Sequence, residues 1–461
     1  MKLRLGLIAM SGVRVVDAEL LALGLTLPGF VERGRTIAAL PSLGLLTLAG
    51  MTPREFDVSY VEVDALPEDE SALAALGEFD VVALSSFTAR IRDAYALADR
   101  YRARGVTVLL GGLHVTACPD EAAAHADAIV IGEAEPVWRT LLHDLERGAL
   151  KPRYDARPLA FDLADAPMPR FELLAGRTFD RFTLQTQRGC PWDCDFCAAS
   201  IRLRPGYRTK PAERIDAEVR AIRAVAARPF LELADDNTFA SAAHGRRVCD
   251  TLAPHGLRWF TETDVSFADD EGLVARAADA GCVQVLIGLE SHSAAALRGV
   301  ETKRDWKASR AGRYLEAVER IQSRGISVNG CFVLGLDGAA DTGTLHEQCD
   351  ALLDFVRTSG LFEVQVTVQT AFPSTPLYDR LAREGRLLAP TAWERCTLFD
   401  TTFEPRGSTA LELRAALHRV IGELYTDSAV ADRRARFREA RRRLGRDAAH
   451  DGEHGGSHST R

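Results

Sequence analysis

Between residues 3 and 131 the chain alternates two hydrophobic patterns. Short, nearly continuous apolar runs occupy 3–10, 58–64, 81–86, 106–110 and 128–131. Each is too short for a typical helix, and each has the composition of a strand covered on both faces. Between them lie segments with apolar residues three and four apart, clearest at 91–104. This alternation predicts an open parallel sheet with covering helices over residues 1–150. The stretch 152–171 has no period and is rich in Pro and Asp. It opposes a continuous helix and reads as an extended connector within a linker at 151–178. A second alternation fills 179–400, with apolar runs beginning near Phe182, Leu231, Trp259, Val283, Val328 and Val364 and helical patterns such as 212–227 between them. Six such βα units predict a partial barrel rather than a complete eight-stranded one. Two further helical patterns, at 411–426 and 431–445, define a region at 401–445, and the second of them is strongly basic. Residues 446–461 are mostly Gly, His, Asp and Ser and read as a flexible tail.

The chain has 461 residues, 46% hydrophobic and 26% charged, the composition of a soluble globular protein with two or three domains. A formal net charge of -8 gives no general nucleic-acid footprint. No run approaches the ~20 apolar residues a bilayer span needs, and the opening MKLRLGLIAM reads as a strand rather than a signal peptide. Nine dispersed cysteines are no disulfide scaffold. Together these features lead us to expect a cytoplasmic protein.

Chemistry concentrates in QRGCPWDCDFC (187–197), which places Cys190, Cys194 and Cys197 in a C-x3-C-x2-C run after an apolar strand. Three thiolates can hold three irons of a [4Fe–4S] cube and leave the fourth iron open. The spacing is not that of paired C-x2-C zinc sites. Buried thiols or an unusual zinc knuckle are the bland alternatives. In the first unit, Ser85-Ser86, Gly111-Gly112 and Gly132-Glu133 end three strands. Glycine there lets a bulky ligand approach the backbone, although ordinary turns carry the same residues. No G-x-G-x-x-G follows strand one, so an ordinary dinucleotide fingerprint is absent. In the second unit, Asp235, Asp236 and Asn237, then Glu262 and Asp264, then Glu290 and Ser291, and finally Gly335 and Asp337 stand at successive strand ends. Solvated turns and structural carboxylate networks are their alternatives. Gln369, Thr370 and Phe372 are candidate substrate-facing residues, and the cations of 202–210 follow the cysteine loop.

The cysteine run resembles the signature of the radical S-adenosylmethionine (SAM) family, usually C-x3-C-aromatic-x-C. Asp195 stands in the usual aromatic position and Phe196 follows it. The segment 366–378 resembles that family's late-barrel motif, with Ser374 in place of glycine. GGLHVTACPD (111–120) followed by IGEAEP (131–136) resembles the amino-terminal domain of class B radical SAM enzymes, which join a Rossmann-like cobalamin-binding domain to the barrel. The resemblance implies an α/β chain with a B12-binding-type domain, a partial (β/α)6 radical SAM barrel and C-terminal helices. It implies three cofactors: a [4Fe–4S] cluster on Cys190, Cys194 and Cys197, SAM chelating the open iron, and cobalamin. Met10, Ser11, Ser85, Ser86, Thr88, Gly111, Gly112 and Glu133 would form the cobalamin wall. Phe196, Asp235, Asp236, Asn237, Glu262, Glu290, Ser291 and Gly335 would surround the cluster and SAM. The usual D-x-H-x-x-G loop is missing, MSGVRV standing there instead, so any cobalamin would be His-off, and His114 is read as structural or as part of the wall. The resemblance further implies a 5'-deoxyadenosyl radical and methylation of an unactivated carbon in a small molecule, with flavodoxin or ferredoxin as electron donor. The alternatives are a radical SAM cyclase, oxidase or non-methyl group transferase with a structural or vestigial B12-type domain, and, in another class, an iron–sulfur sensor without turnover.

Overall fold

The computed structural model describes residues 2–10, 12–13, 15–22, 40–198, 206–337 and 343–454. The first sheet is built from β1 (Leu3–Met10), β2 (Phe56–Glu62), β3 (Val81–Ser86), β4 (Thr107–Gly111), β5 (Ala128–Ile131) and β6 (Arg153–Asp155). They lie in the order β2-β1-β3-β4-β5-β6, every pair parallel. β1 is apolar on both faces because both are covered. Leu5 and Leu7 belong to one buried apolar cluster with Leu45, Leu46 and Trp138, while Ile8 and Met10 belong to another with Leu84, Ile91 and Leu97. The chain reverses direction across the sheet at the β1/β3 junction, the crevice where open sheets take ligands. β6 comes from the segment read as connector, which also buries Phe171 and Leu174. Those two rings and branches join the apolar core under the first sheet to that around Phe182 and Leu184. The two units therefore share one core.

The second unit begins with β7 (Phe182–Leu184). The two-residue β8 (Gln187–Arg188) and β9 (Arg208–Thr209) follow as an antiparallel pair. Then come β10 (Leu231–Leu233), β11 (Trp259–Thr263), β12 (Cys282–Glu290), β13 (Ser327–Leu334) and β14 (Glu363–Val368). These strands lie in the order β14-β13-β12-β11-β10-β7, all parallel. Among the described residues the sheet stays open between β7 and β14, as six βα units require. Alternation along β12 turns Val285, Ile287 and Leu289 toward the helices. Leu286, Gly288 and Glu290 point into the lumen.

Helix Ala410–Leu424 starts on a capping box between Thr409 and Glu412. The last helix, Asp427–His454, runs past Gly445 into the segment read as a tail, and 455–461 lie outside the described residues. Phe437 meets Phe362 with ring centroids 4.8 Å apart, and Arg433 donates to the Leu424 carbonyl at 2.8 Å. Phe362 directly precedes β14, so this helix seals the amino-terminal end of the barrel. No helix among the described residues is long and apolar enough to cross a membrane.

Candidate active site

The carboxyl ends of the two sheets face each other and are clasped by polar contacts. The Glu133 carboxylate, just after β5, takes Arg208 at 2.5 Å and Arg188 at 3.0 Å. Arg188 also reaches Glu135 at 3.0 Å. Asp400 accepts the backbone N–H groups of Val16 and Asp17, both at 2.9 Å. Trp393 donates its indole N–H to Glu121 at 3.0 Å, and Ser374 donates to the Ala117 carbonyl at 3.0 Å. Burial alone would raise the Glu133 pKa, but the hydrogen bond from Arg208 and the charge of Arg188 bring it down to about 2. An anion clamped in this way holds the hairpin that carries the cysteine loop.

The cysteine loop is fixed from four directions. Asp235, buried after β10, accepts the backbone N–H of Thr186 at 2.6 Å and of Gln187 at 3.0 Å. It also takes the hydroxyls of Thr186 and Thr238. Asp236 accepts the Gly189 N–H at 2.6 Å. On the far side, the Asp195 N–H donates to the Val300 carbonyl at 2.8 Å, and Thr302 caps Asp193 through its hydroxyl at 2.6 Å. Trp192 stacks on Trp306 with centroids 4.0 Å apart and donates to Asp264 at 2.7 Å. Asp195 also pairs with Arg380 at 2.9 Å.

Cys190, Cys194 and Cys197 take part in no disulfide among the described residues, and each is part-exposed. Cys197 lies within electrostatic reach of both others. Asn237 points its amide at Cys190 Sγ, 3.8 Å away. Burial pushes the Cys190 thiol up to about 11, against the pull of the Trp192 backbone and Asn237, and burial drives Cys194 higher still. These thiols stay protonated until a cation replaces the protons, so loading them releases protons. Three thiols of one loop, with Cys197 in reach of both others, suit an iron–sulfur cluster that leaves one iron free.

The first sheet offers a matching face. Ser85, Ser86, Gly111 and Gly112 cluster at the adjoining ends of β3 and β4. Gly112 holds φ +109°, and a Cβ there would stand 3.2 Å from Ser85 Oγ. Gly111 has only Val130, 3.8 Å from where its Cβ would be. Among the described residues the Ser86 hydroxyl is buried without a partner. A glycine cradle with an orphan hydroxyl fits a large planar ligand with polar edges. Thr88 is buried beside it.

Other expected site residues take different parts. Met10 is fully buried in the core beneath the sheet ends, so its side chain is no wall. Ser11 lies outside the described residues, as do Arg202 and Arg204. Glu133 is committed to Arg188 and Arg208, and Asp235 and Asp236 to the turn that launches the cysteine loop. Asn237 alone of that trio touches a cysteine. Phe196 packs against Leu377, Leu381 and Phe403. Glu262 is exposed in mid-strand at a lumen-facing position. Ser291 accepts the Ser293 N–H at 3.1 Å and so shapes its own turn. At Gly335 the space a Cβ would fill belongs to Leu413, 2.8 Å away, so the close approach is to helix Ala410–Leu424 and not to an adenosine. His114 is buried against Trp393 at 5.2 Å, a structural position. Burial lowers its pKa. Asp337, with no exposed side chain, binds Arg386 through both oxygens at 2.6 and 2.9 Å and also Arg380.

Sequence reasoning missed Lys307. It is buried, with its ammonium 2.7 Å from Glu290 Oε2 and 3.1 Å from the Gly288 carbonyl. Its neighbourhood, DWKASR, reads as the start of an ordinary helix, and no local signal marks it. Arg208, Arg188 and Arg380 were equally invisible as partners, because each meets its carboxylates across at least 43 residues.

The comparisons with known proteins agree with this geometry. The B12 binding domain model matches residues 38–142, the Radical SAM superfamily model 184–342, and a domain of unknown function (DUF4070) 375–452. The chain is 30% identical over 370 residues to bacteriochlorophyllide d C-8(2)-methyltransferase of Chlorobaculum tepidum, covering 77% of this chain and 78% of that protein. It is 26% identical over 404 residues to the C-12(1)-methyltransferase of the same organism, covering 85% and 84%. With the hopanoid C-2 methylase of Rhodopseudomonas palustris it shares 27% over 369 residues, covering 76% and 66%. Among solved structures, the radical SAM methyltransferase TsrM of Kitasatospora setae, with cobalamin and a [4Fe–4S] cluster bound, superposes with a TM-score of 0.63. That match has 15% identity and covers 97% of this chain and 100% of the other.

Proposed function

The chain belongs to the cobalamin-binding class of radical SAM enzymes, and on that premise we propose that it methylates an unactivated carbon of a small molecule. When bound, the cluster with SAM supplies a 5'-deoxyadenosyl radical and cobalamin supplies the methyl group. The residues present fit these groups. Cys190, Cys194 and Cys197 would hold the cluster, while Ser85, Ser86, Gly111 and Gly112 would take the face of cobalamin. The observation that carries the reading is the clasp at Glu133. It ties the end of β5 to the hairpin bearing the cysteines and so turns both cofactor faces toward one space.

The methyltransferase names of the relatives support methyl transfer over cyclisation or oxidation. Their substrates, a bacteriochlorophyllide and a hopanoid, differ widely. The lumen of this barrel points to hydrogen-bonding groups on its own substrate. Glu262 is exposed there, and Cys331 and Gln365 are part-exposed at the inward positions of β13 and β14. The chain's side chains supply orientation and exclude water. No acid–base pair is required for hydrogen-atom abstraction.

The test is to reconstitute the protein anaerobically with iron, sulfide and hydroxocobalamin. Retained cobalamin is measured after gel filtration, and SAM products after reduction. Near-stoichiometric His-off cobalamin, with 5'-deoxyadenosine and S-adenosylhomocysteine formed together, is the expected result. An intact cluster that cleaves SAM without retained cobalamin would overturn the methyl-transfer reading.

A further inference from the structure

The short helix Trp306–Arg310 is docked directly on the cysteine loop. Its first residue makes the Trp192–Trp306 stack, and its second, Lys307, is buried with its ammonium in electrostatic reach of Cys194. The Lys307 backbone N–H donates to Glu301 Oε2 at 2.8 Å, and the Glu301 main chain pairs with that of Cys194 in an isolated antiparallel bridge. The ammonium is thus tied by position to one cysteine.

The end of β12 is deformed to meet this ammonium. A bulge falls between Gly288 and Glu290, and Glu290 adopts φ +53°. That left-handed conformation is unfavourable for a side chain of its size and persists only where the surroundings enforce it. A Cβ on Gly288 would lie 2.6 Å from Glu290 Oε1 and 3.5 Å from Lys307 Nζ. The strand therefore gives up a side chain and accepts strain so that carboxylate and ammonium can meet. A buried ion pair is a poor route to stability, because desolvation offsets the attraction. Both charges lie within electrostatic reach of Cys194.

We propose that Lys307 is a positioning residue that sets the reduction potential of the cluster held by Cys190, Cys194 and Cys197, its fixed positive charge making that cluster easier to reduce. The inference rests on the reading of the three thiols as cluster ligands. Reduction adds one electron to the cluster, from an external one-electron reductant, and transfers no proton to Lys307. A fixed cation stabilises the more negative reduced form, since net charge near a cluster is one of the terms that tune its potential. Glu290, the opposite charge, acts in the other direction and keeps the ammonium in place.

The test is a dithionite titration of reconstituted full-length protein with redox mediators, followed by electron paramagnetic resonance, with iron and sulfide quantified for every sample. Lys307→Met shifts the midpoint potential negative, Glu290→Gln shifts it positive, and Lys307→Arg returns it to near the wild-type value. Opposite signs from the two partners are what a merely structural pair would not produce. If Lys307→Met fails to load iron, Glu290→Gln and Lys307→Arg still decide the matter. Potentials unchanged, or moved in the same direction, at full iron content overturn the role of Lys307. Absence of a reducible cluster in the wild type overturns the underlying reading of the thiols instead.

Discussion

Gly189 shows how narrow the tolerance is just before the first cysteine. Its backbone holds φ +93°, and a Cβ would sit 2.1 Å from the Gly206 carbonyl oxygen. That contact is backbone, so no side chain can swing away, and the left-handed conformation adds its own cost of about 1 kcal/mol for a non-glycine residue. Gly189→Ala is expected to fold but to bind much less iron after reconstitution than the wild type, as measured by iron and sulfide content. Glu133 gives a prediction that depends on pH. Its folded pKa of about 2 lies below the ordinary 4.5 of a glutamate, so its ionised form favours the folded state. That contribution is fully present above pH 4.5 and is lost as pH falls through 2. Glu133→Gln leaves Arg208 without its carboxylate and Arg188 with Glu135 alone in a part-buried site, at a cost of roughly 2 kcal/mol at neutral pH. The thermal midpoint of the apoprotein variant should fall below that of the wild type at pH 7, and the gap should narrow below pH 4.5. A gap that stays constant down to pH 3 would show that the clasp works through packing and not charge.

The cysteine loop is an element without regular structure, and its order is borrowed from the elements around it. One lender is the end of β13, where Asp337 gathers Arg386 and Arg380, and Arg380 passes the connection on to Asp195 between the second and third cysteines. Burial alone would raise the Asp337 pKa, but the hydrogen bonds from Arg386 and Arg380 hold it below the usual carboxylate range. Asp337→Asn keeps the shape and removes the charge, leaving two guanidiniums short of a partner, with an expected loss of about 3 kcal/mol. Chemical denaturation followed by the fluorescence of Trp192 and Trp306 should report that loss. The sequence made most of the strands legible, because they read as bounded, apolar-rich runs. It made the cysteines legible, because their ligand chemistry is local. It did not disclose what the strand-end residues do. Asp235 and Glu133 look like cofactor contacts in one dimension, yet the loop and the hairpin they hold arrive from 48 and 75 residues away. Gly335 looks like a ligand approach, but Leu413 fills the space. Lys307 has no signature at all, since its meaning lies in the carboxylate across the bulge.

At the scale of the whole molecule, the barrel separates chemistry from its most basic surface. Both cofactor faces lie at the carboxyl ends of the strands. The helix Asp427–His454 packs at the amino ends, with Phe437 on Phe362 and Arg441 near Gly325. Arg436, Arg438, Arg441 and Arg442 are exposed on it. β13, with eight residues, spans roughly 26 Å between the two ends. An acidic flavodoxin drawn to these arginines would stand about that far from the cysteines, on the wrong side of the barrel. On the reading of the thiols as cluster ligands, an external donor is expected to approach where the cysteine loop meets solvent, near the exposed Lys303 beside Asp193. Reversing Arg436, Arg438 and Arg441 to Glu should leave the rate of flavodoxin-driven cluster reduction within about twofold of wild type at low salt, where steering is strongest. Stopped-flow reduction followed by the visible absorbance of the cluster measures that rate. A fall of tenfold or more would place the donor at the barrel floor and require a path for the electron along the whole length of the strands.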